Sequence, residues 1–150
     1  MATGLGSISA EGAQLGYWPS PYLFDGAIHL EARSADSIIT IGSRTVLNNG
    51  VVIISEGPGI WIGEGVLIGP GVHIYDSDFH PIDQLERSEP PRRAAVHVGS
   101  RCFIGARATI CRGVSIGEGS VVGVGSVVTK DIPPWSVAAG VPARVMRSLR

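Results

Sequence analysis

The sequence predicts an all-β fold: one domain built as a single-stranded parallel β-helix, in which short strands stack as the coils of a three-sided rod. Three observations predict it. A branched aliphatic residue recurs every six positions, glycine often follows that residue, and 21 Gly and 10 Pro accompany a hydrophobic content of 44%. A period of six matches neither the helical period of 3.6 nor the alternation of a long strand, so it favours short strands separated by corners.

The aliphatic positions of the repeat fall into three runs. They are Ile41, Leu47 and Ile53; then Ile62, Ile68 and Ile74 after a slip of three residues; and finally Val98, Ile104, Ile110, Ile116, Val122 and Val128. Three strands with their corners make one coil of about 18 residues, and stacked coils hydrogen-bond to one another like neighbouring strands of a sheet. The repeat therefore predicts about four coils whose aliphatic side chains fill the rod.

The repeat divides the single domain of 150 residues into three parts. Residues 1–37 do not keep the period, so we expect an irregular N-terminal cap with one or two strands, including residues 18–22. Residues 38–132 are expected to form the β-helix, interrupted at 76–97 by a long polar loop extruded from a corner; such loops often carry function. Residues 133–150 are expected to form a C-terminal tail with a short helix.

Charge and hydropathy exclude several classes of partner. The formal net charge of −1 provides no global field to attract nucleic acid or an anionic membrane. Residues 1–12 contain neither a basic stretch nor an apolar one, and no apolar run is long enough to cross a bilayer. We therefore expect a cytoplasmic protein without nucleic-acid or membrane partners.

Three motifs in this order resemble those of the maltose and galactoside O-acetyltransferases, which are hexapeptide-repeat acyltransferases. They are His80-Pro-Ile-Asp83 with the downstream Arg87, the run from Ser126 through Lys130 to Pro134, and Ala139-Gly-Val-Pro-Ala-Arg144. The match covers roughly residues 38–147. The family's helical N-terminal extension has no counterpart in this sequence.

The resemblance implies properties that the spacing alone does not give. It implies a left-handed coil, a homotrimer with three sites between subunits, and acetyl-CoA as co-substrate without a metal. The acceptor it implies is a small molecule, a sugar or nucleotide sugar, which is acetylated on a hydroxyl group. It leaves open whether the donor is acetyl-CoA or a slightly longer acyl-CoA.

Three residues are predicted to carry the catalytic chemistry. Acyl transfer from a thioester needs a base for the acceptor's proton, and imidazole suits this role near neutral pH, so His80, at the family's matching position, is the candidate. Asn49 matches the family's Asn that stabilises the oxyanion, although Asn48-Asn49-Gly50 is also a good turn sequence. Asp78 is the candidate to fix the tautomer of the imidazole, against an alternative in which it merely solvates a corner.

Binding residues are predicted more broadly. Asp76, Asp83 and Glu56 are weaker candidates for binding the acceptor's hydroxyl groups. CoA needs an apolar groove, backbone hydrogen bonds and cations for its phosphates. The family's CoA positions correspond to Phe103, Ala106, Val124, Thr129, Lys130, Arg144 and Arg147. Phe103 stands where the family usually has Trp, and Phe offers a smaller stacking face. For Lys130, Arg144 and Arg147 the alternative is that they are ordinary surface charges of the C-terminal region.

Other functions stay open at this stage. Within the acyltransferases the alternatives are a sugar N-acetyltransferase and a serine-type O-acetyltransferase. A γ-type carbonic anhydrase shares the fold and uses three His ligands, but His73, His80 and His97 lack its spacing. A β-helix without catalysis, used for assembly or sugar binding, is the remaining alternative.

Overall fold

The computed structural model describes residues 1–16 and 26–150, and the strands of this part form three sheets that are parallel except for the last strand pair of the chain. We call these sheets faces 1, 2 and 3, because the chain visits them in that order on every coil. Face 1 contains β1 (Ala2–Gly4), β4 (His29–Ala32), β7 (Val52–Ser55), β10 (His73–Tyr75), β13 (Thr109–Ile110) and β16 (Val127–Val128).

Faces 2 and 3 are built in the same way. Face 2 contains β2 (Ser7–Ser9), β5 (Ile38–Ile41), β8 (Ile60–Ile62), β11 (Val96–Val98) and β14 (Ser115–Ile116). Face 3 contains β3 (Gln14–Leu15), β6 (Val46–Leu47), β9 (Leu67–Ile68), β12 (Phe103–Ile104), β15 (Val121–Val122), β17 (Ser136–Gly140) and β18 (Ala143–Ser148). We name the corners edge 1–2, edge 2–3 and edge 3–1 after the faces that they join.

The aliphatic residues of the hexads form the core, as the repeat predicts. On face 1, Ile53 pairs with Ile74 and Ile74 with Ile110, and all three side chains are fully buried. Side chains alternate between inside and outside along each strand, so two residues of each hexad reach the interior, the aliphatic one and the residue two before it, as Val72 and Ile74 show. Equivalent positions of successive coils stack in register. The apolar side chains inside each coil are therefore covered by those of the coils above and below it.

Glycine is required at the corners for two different reasons. A side chain at Gly63 would place its Cβ 2.6 Å from the backbone nitrogen of Ser100 in the next coil, so the close approach of the two coils requires glycine there. Gly65 has open space around it but a φ of +62°, a conformation that L side chains rarely adopt. The corners therefore select glycine for both steric and conformational reasons.

The N-terminal segment continues the coil, which corrects the expectation of an irregular cap over residues 1–37. β1, β2 and β3 pair in parallel with β4, β5 and β6, so this segment contains four strands. The repeat is weak here because the first coil has a neighbour on one side only and needs fewer aliphatic residues; Ile8 is partly buried against the core. The predicted residues 18–22 lie within 17–25, outside the described residues.

The C-terminal tail also differs from the prediction. Instead of a short helix, β17 and β18 form an antiparallel hairpin in which Ala139 pairs with Arg144 and Gly140 with Ala143. β18 thereby replaces β17 as the edge strand of face 3. It carries the exposed Arg144 and Arg147, and charged side chains on an edge strand oppose pairing with another sheet.

Between β10 and β11 the chain leaves the repeat. Residues 76–95 contain a single turn of 3-10 helix at Gln84–Glu86, whose N-terminus is capped by Asp83. Residues 83–90 are exposed. Across the described ranges no helix has the length and apolar character needed to cross a membrane.

Candidate functional site

His80 lies in the segment that follows β10 at edge 1–2. Its side chain is exposed and lines a surface depression of about 590 Å³ together with Pro81, Ile82 and Arg87. Its backbone N–H donates to the Asp78 carbonyl at 2.7 Å. An accessible imidazole beside an open depression meets the first requirement for a base that must touch a bound acceptor.

The Asp78 carboxylate is engaged by a different partner. Its Oδ2 lies 2.6 Å from Nε of Arg112, on the next coil of the same edge. Burial raises the pKa of the neighbouring Cys111 thiol, and the charge of Asp78 raises it further while Arg112 opposes this. Among the described residues no hydrogen bond joins the Asp78 carboxylate to the His80 ring, so its tautomer-fixing role stays a prediction.

Asp76 has a structural position that excludes it from acceptor binding. Its carboxylate is fully buried. It accepts hydrogen bonds from Ser55 Oγ (2.7 Å) and from the backbone N–H groups of Glu56 (2.8 Å), Gly57 (3.2 Å) and Gly59 (2.9 Å). This corrects the expectation that Asp76 contacts the acceptor. The three extra residues between Ile53 and Ile62 form the turn whose N–H groups bind this carboxylate.

A second depression in this segment shares Pro81 and Ile82 with the first. It has a volume of about 430 Å³ and is lined by Asp78, Pro81, Ile82, Asp83, Glu86 and Arg92. Asp83 also accepts a hydrogen bond from the backbone N–H of Leu85 at 2.9 Å. Carboxylate oxygens and a guanidinium group offer hydrogen-bond acceptors and donors to a ligand rich in hydroxyl groups.

Within one copy of the chain, Asn49 lies at a different edge of the rod from the His80 segment. It is at edge 3–1, only 6% exposed, and borders a cavity of about 330 Å³ with Met1, Leu15 and Ile28 among its walls. Its carbonyl accepts a hydrogen bond from the Gly71 N–H at 3.1 Å. Edge 3–1 and edge 1–2 are separated by the width of face 1, roughly 20 Å for six extended residues.

The predicted CoA contacts also distribute over the surface. Ala106 and Val124 lie on successive coils of edge 3–1, where the Ala106 carbonyl accepts from the Gly125 N–H at 2.9 Å and Val124 is 74% exposed. Phe103 is 45% exposed on face 3, beside Leu67, in a shallow depression of about 260 Å³. These residues offer an apolar surface along one edge and one face.

The predicted cations lie near the C-terminal end of the rod. Thr129 and Lys130 are at edge 1–2, whereas Arg144 and Arg147 are on β18, and all four are exposed. Seven of the predicted site residues therefore belong to two different edges of one chain, whereas Phe103, Arg144 and Arg147 lie on face 3. Edge 1–2 carries His80, Asp78, Thr129 and Lys130, and edge 3–1 carries Asn49, Ala106 and Val124.

The histidines do not assemble a metal site. Within residues 1–16 and 26–150 no group of three or more His, Cys, Asp or Glu side chains is placed to hold a metal ion. His97 stacks on Trp61 with ring centroids 4.9 Å apart, and His73 lies 5.7 Å from the ring of Tyr75. The carbonic anhydrase alternative thus finds no ligand set in the described part of the chain.

Comparison with known families confirms the resemblance drawn from the motifs. Residues 95–130 match the family model described as the hexapeptide repeat of succinyl-transferase. Nodulation protein L of Rhizobium meliloti is 44% identical over 108 residues, covering 71% of this chain and 58% of the relative. Galactoside O-acetyltransferase of Escherichia coli is 39% identical over 117 residues, covering 77% of this chain and 57% of the relative.

A solved structure agrees with these sequence matches. The hexapeptide-repeat-containing acetyltransferase of Vibrio cholerae, complexed with acetyl coenzyme A, superposes with a TM-score of 0.70 at 37% identity. The match covers 75% of this chain and 61% of that structure. The chain thus spans less than two thirds of the length of these relatives.

Proposed function

From the premise that this chain is a hexapeptide-repeat protein with acetyltransferase homologues, we propose that it transfers an acetyl group from acetyl-CoA to a hydroxyl group of a small sugar-like acceptor. The observation that carries this proposal is the exposed His80 in the segment that breaks the repeat, beside a depression large enough for a sugar ring. The proposal includes the left-handed winding of the coil and the projection of this segment from edge 1–2.

The proposed reaction is a direct transfer. The His80 imidazole takes the proton of the acceptor hydroxyl as its oxygen attacks the thioester carbonyl carbon, and a tetrahedral intermediate with a negatively charged oxygen forms. The Asn49 side-chain amide donates a hydrogen bond to that oxygen. When the intermediate collapses, the carbon–sulfur bond breaks, and the proton on His80 passes to the CoA sulfur as the thiol leaves.

The distribution of residues over two edges supports a site between copies of the chain. Because face 1 separates His80 from Asn49, both reach one intermediate most simply when edge 1–2 of one copy faces edge 3–1 of another. Such contacts between equivalent copies close into a ring, and from the resemblance to the acetyltransferases we propose that the ring is a homotrimer with three such sites. Each site combines His80 of one copy with Asn49, Ala106 and Val124 of its neighbour.

Acetyl-CoA is proposed to lie along this groove. The apolar surface at Phe103 suits the pantetheine arm, and the backbone groups of Ala106 and Val124 at edge 3–1 provide its hydrogen bonds. Lys130 and Arg144 supply positive charge for the phosphates, with Thr129 and Arg147 beside them. All of these residues except Ala106 are exposed and accessible to a ligand.

The lining of the second depression supports a hydroxyl-rich acceptor. Asp83, Glu86 and Arg92 present oxygen and nitrogen atoms that pair with sugar hydroxyl groups. A sugar amine or the hydroxyl of serine is an alternative acceptor for the same chemistry. We expect the protein to act in the cytoplasm, where acetyl-CoA is available.

The experiment that tests the proposed function measures the release of CoA thiol from acetyl-CoA with single acceptors. The panel contains free neutral sugars, nucleotide sugars, an amino sugar and serine. We expect acceptor-dependent release that is greatest with a neutral sugar. Release with serine alone would assign the serine alternative, and thermal stability unchanged by CoA would support a non-catalytic β-helix, because a bound ligand stabilises the folded state.

The cations of the C-terminal region give a second prediction. Lys130→Ala and Arg144→Ala are each expected to raise the KM for acetyl-CoA about 3- to 10-fold while leaving the acceptor's KM nearly unchanged, because exposed charge-assisted contacts to phosphate contribute on the order of 1 kcal/mol. The matched control is Arg44→Ala, which removes an exposed cation paired with Glu64 at edge 2–3. An equal rise in both KM values would contradict the phosphate-binding role.

A further inference from the structure

We propose that Ser77, Glu56 and Phe79 are positioning residues that hold His80 in its working orientation through a strained turn. None of them reacts with the acceptor or CoA in the mechanism above. The inference rests on the proposed function for the role of His80, whereas the strained turn and its supports are properties of the chain itself.

The turn is centred on Phe79, the residue directly before His80. Phe79 has a φ of +60°, and the His80 N–H donates to the Asp78 carbonyl at 2.7 Å across it. A three-residue turn closed by this hydrogen bond with positive φ is the rare and strained form of the γ-turn. For a bulky residue such as Phe this conformation persists only where surrounding contacts impose it.

The backbone of the turn is held by a hydroxyl group. Ser77, which is buried, accepts the Phe79 N–H on its Oγ at 3.0 Å and donates from that Oγ to Glu56 Oε2 at 2.7 Å. The ion pair with Arg33 fixes Glu56 in turn, with Nη1 and Oε1 3.3 Å apart. One hydroxyl group thus connects the strained residue to a charged pair on the two preceding coils of edge 1–2.

The side chain of Phe79 is held separately. Its ring lies edge-on to Tyr75 with centroids 5.2 Å apart, and the Arg33 guanidinium lies 5.2 Å from its centroid. Arg33 is itself fixed by Glu31, and this guanidinium together with His29 lowers the pKa of the Glu31 carboxyl. Arg33 therefore supports both the backbone and the ring of the turn.

The base of the segment is closed on both sides. The Asp78 N–H donates to the Arg92 carbonyl at 3.0 Å, and the Ala94 N–H donates to the Asp76 carbonyl at 2.9 Å. These two hydrogen bonds join the two arms of the segment and fix the backbone that precedes the turn at Phe79. If the hydroxyl support is lost, we expect Phe79 to relax to negative φ and to turn the imidazole away from the groove.

The test compares Ser77→Ala with Ser77→Thr, which keeps the hydroxyl group. We expect Ser77→Ala to lower kcat about 10- to 100-fold, the usual size of a misplaced catalytic group, with the KM for acetyl-CoA within about 2-fold. Ser77→Thr is expected to recover most of kcat. The matched control is Ser120→Ala at edge 2–3, a buried serine whose Oγ likewise donates to a carbonyl, of Pro133, and accepts a backbone N–H, of Ser136.

A measurement independent of turnover separates this inference from the proposed function. The ring resonances of His80, identified by their loss in His80→Gln, are expected to shift in Ser77→Ala and in Phe79→Ala but not in Ser120→Ala. Unchanged His80 resonances together with unchanged kcat in Ser77→Ala would overturn the positioning role. If the wild type transfers no acetyl group, but the His80 resonances differ between the wild type and Ser77→Ala, the proposed function alone is overturned.

Discussion

His80→Ala is expected to lower kcat by a factor of about 10² to 10⁴, the usual contribution of a general base, while the affinity for CoA changes little. In the proposed mechanism the imidazole takes the acceptor's proton as its oxygen attacks, so its removal costs stabilisation of the transition state that the bound ground state does not have. The measurement is steady-state thiol release at saturating acceptor, with CoA affinity determined by calorimetry.

The matched control for this prediction is His97→Ala. His97 is also exposed, but it lies on face 2, stacks on Trp61 and lines neither depression of the His80 segment. We expect turnover within about 2-fold of wild type, because its contact contributes only about 1 kcal/mol to packing. Full turnover in His80→Ala would remove the proposed mechanism, and equal losses in both variants would indicate a general loss of folded protein.

Asp76→Ala is expected to lower the free energy of unfolding by about 3 to 5 kcal/mol, because a buried carboxylate that satisfies several donors leaves them unpaired when it is removed. The carboxylate accepts from three backbone N–H groups and from the Ser55 hydroxyl, all in or next to the turn between β7 and β8. Urea unfolding followed by far-ultraviolet circular dichroism measures the change.

Asp131→Ala provides the comparison for this stability prediction. Asp131 is exposed and accepts one backbone hydrogen bond, from the Ser115 N–H at 2.8 Å, at the same edge 1–2. We expect it to cost about 1 kcal/mol, the net contribution of a typical hydrogen bond. Equal effects of the two substitutions would mean that the buried network at Asp76 contributes no more than a surface contact.

Parts of the fold followed from the sequence because their cause is local. A branched aliphatic residue every six positions dictates which side chain of each short strand turns inward, and the buried Ile53, Ile74 and Ile110 confirm it. The same regularity made the interruption after Tyr75 visible, and with it the segment that contains His80. The resemblance of the motifs to the acetyltransferases was confirmed by the homologues.

The two ends of the rod were predicted wrongly because their structure depends on neighbours rather than on their own pattern. The first coil packs on one side only, so it forms strands without a full set of aliphatic residues. The hairpin of β17 and β18 depends on pairing between two strands on either side of a turn. The six-residue period of the local sequence predicts neither feature.

The sequence by itself determined the three-sided rod, its core and the position along the chain at which the repeat breaks, because each depends on spacing between near neighbours. Only the tertiary structure decided that His80 and Asn49 lie on different edges, that Asp76 is buried beneath the broken repeat, and that Phe79 takes a positive φ. These features depend on which residues from separate coils the winding brings together. They are fixed by contacts between stacked coils, whereas the sequence pattern reports only the spacing within a single coil.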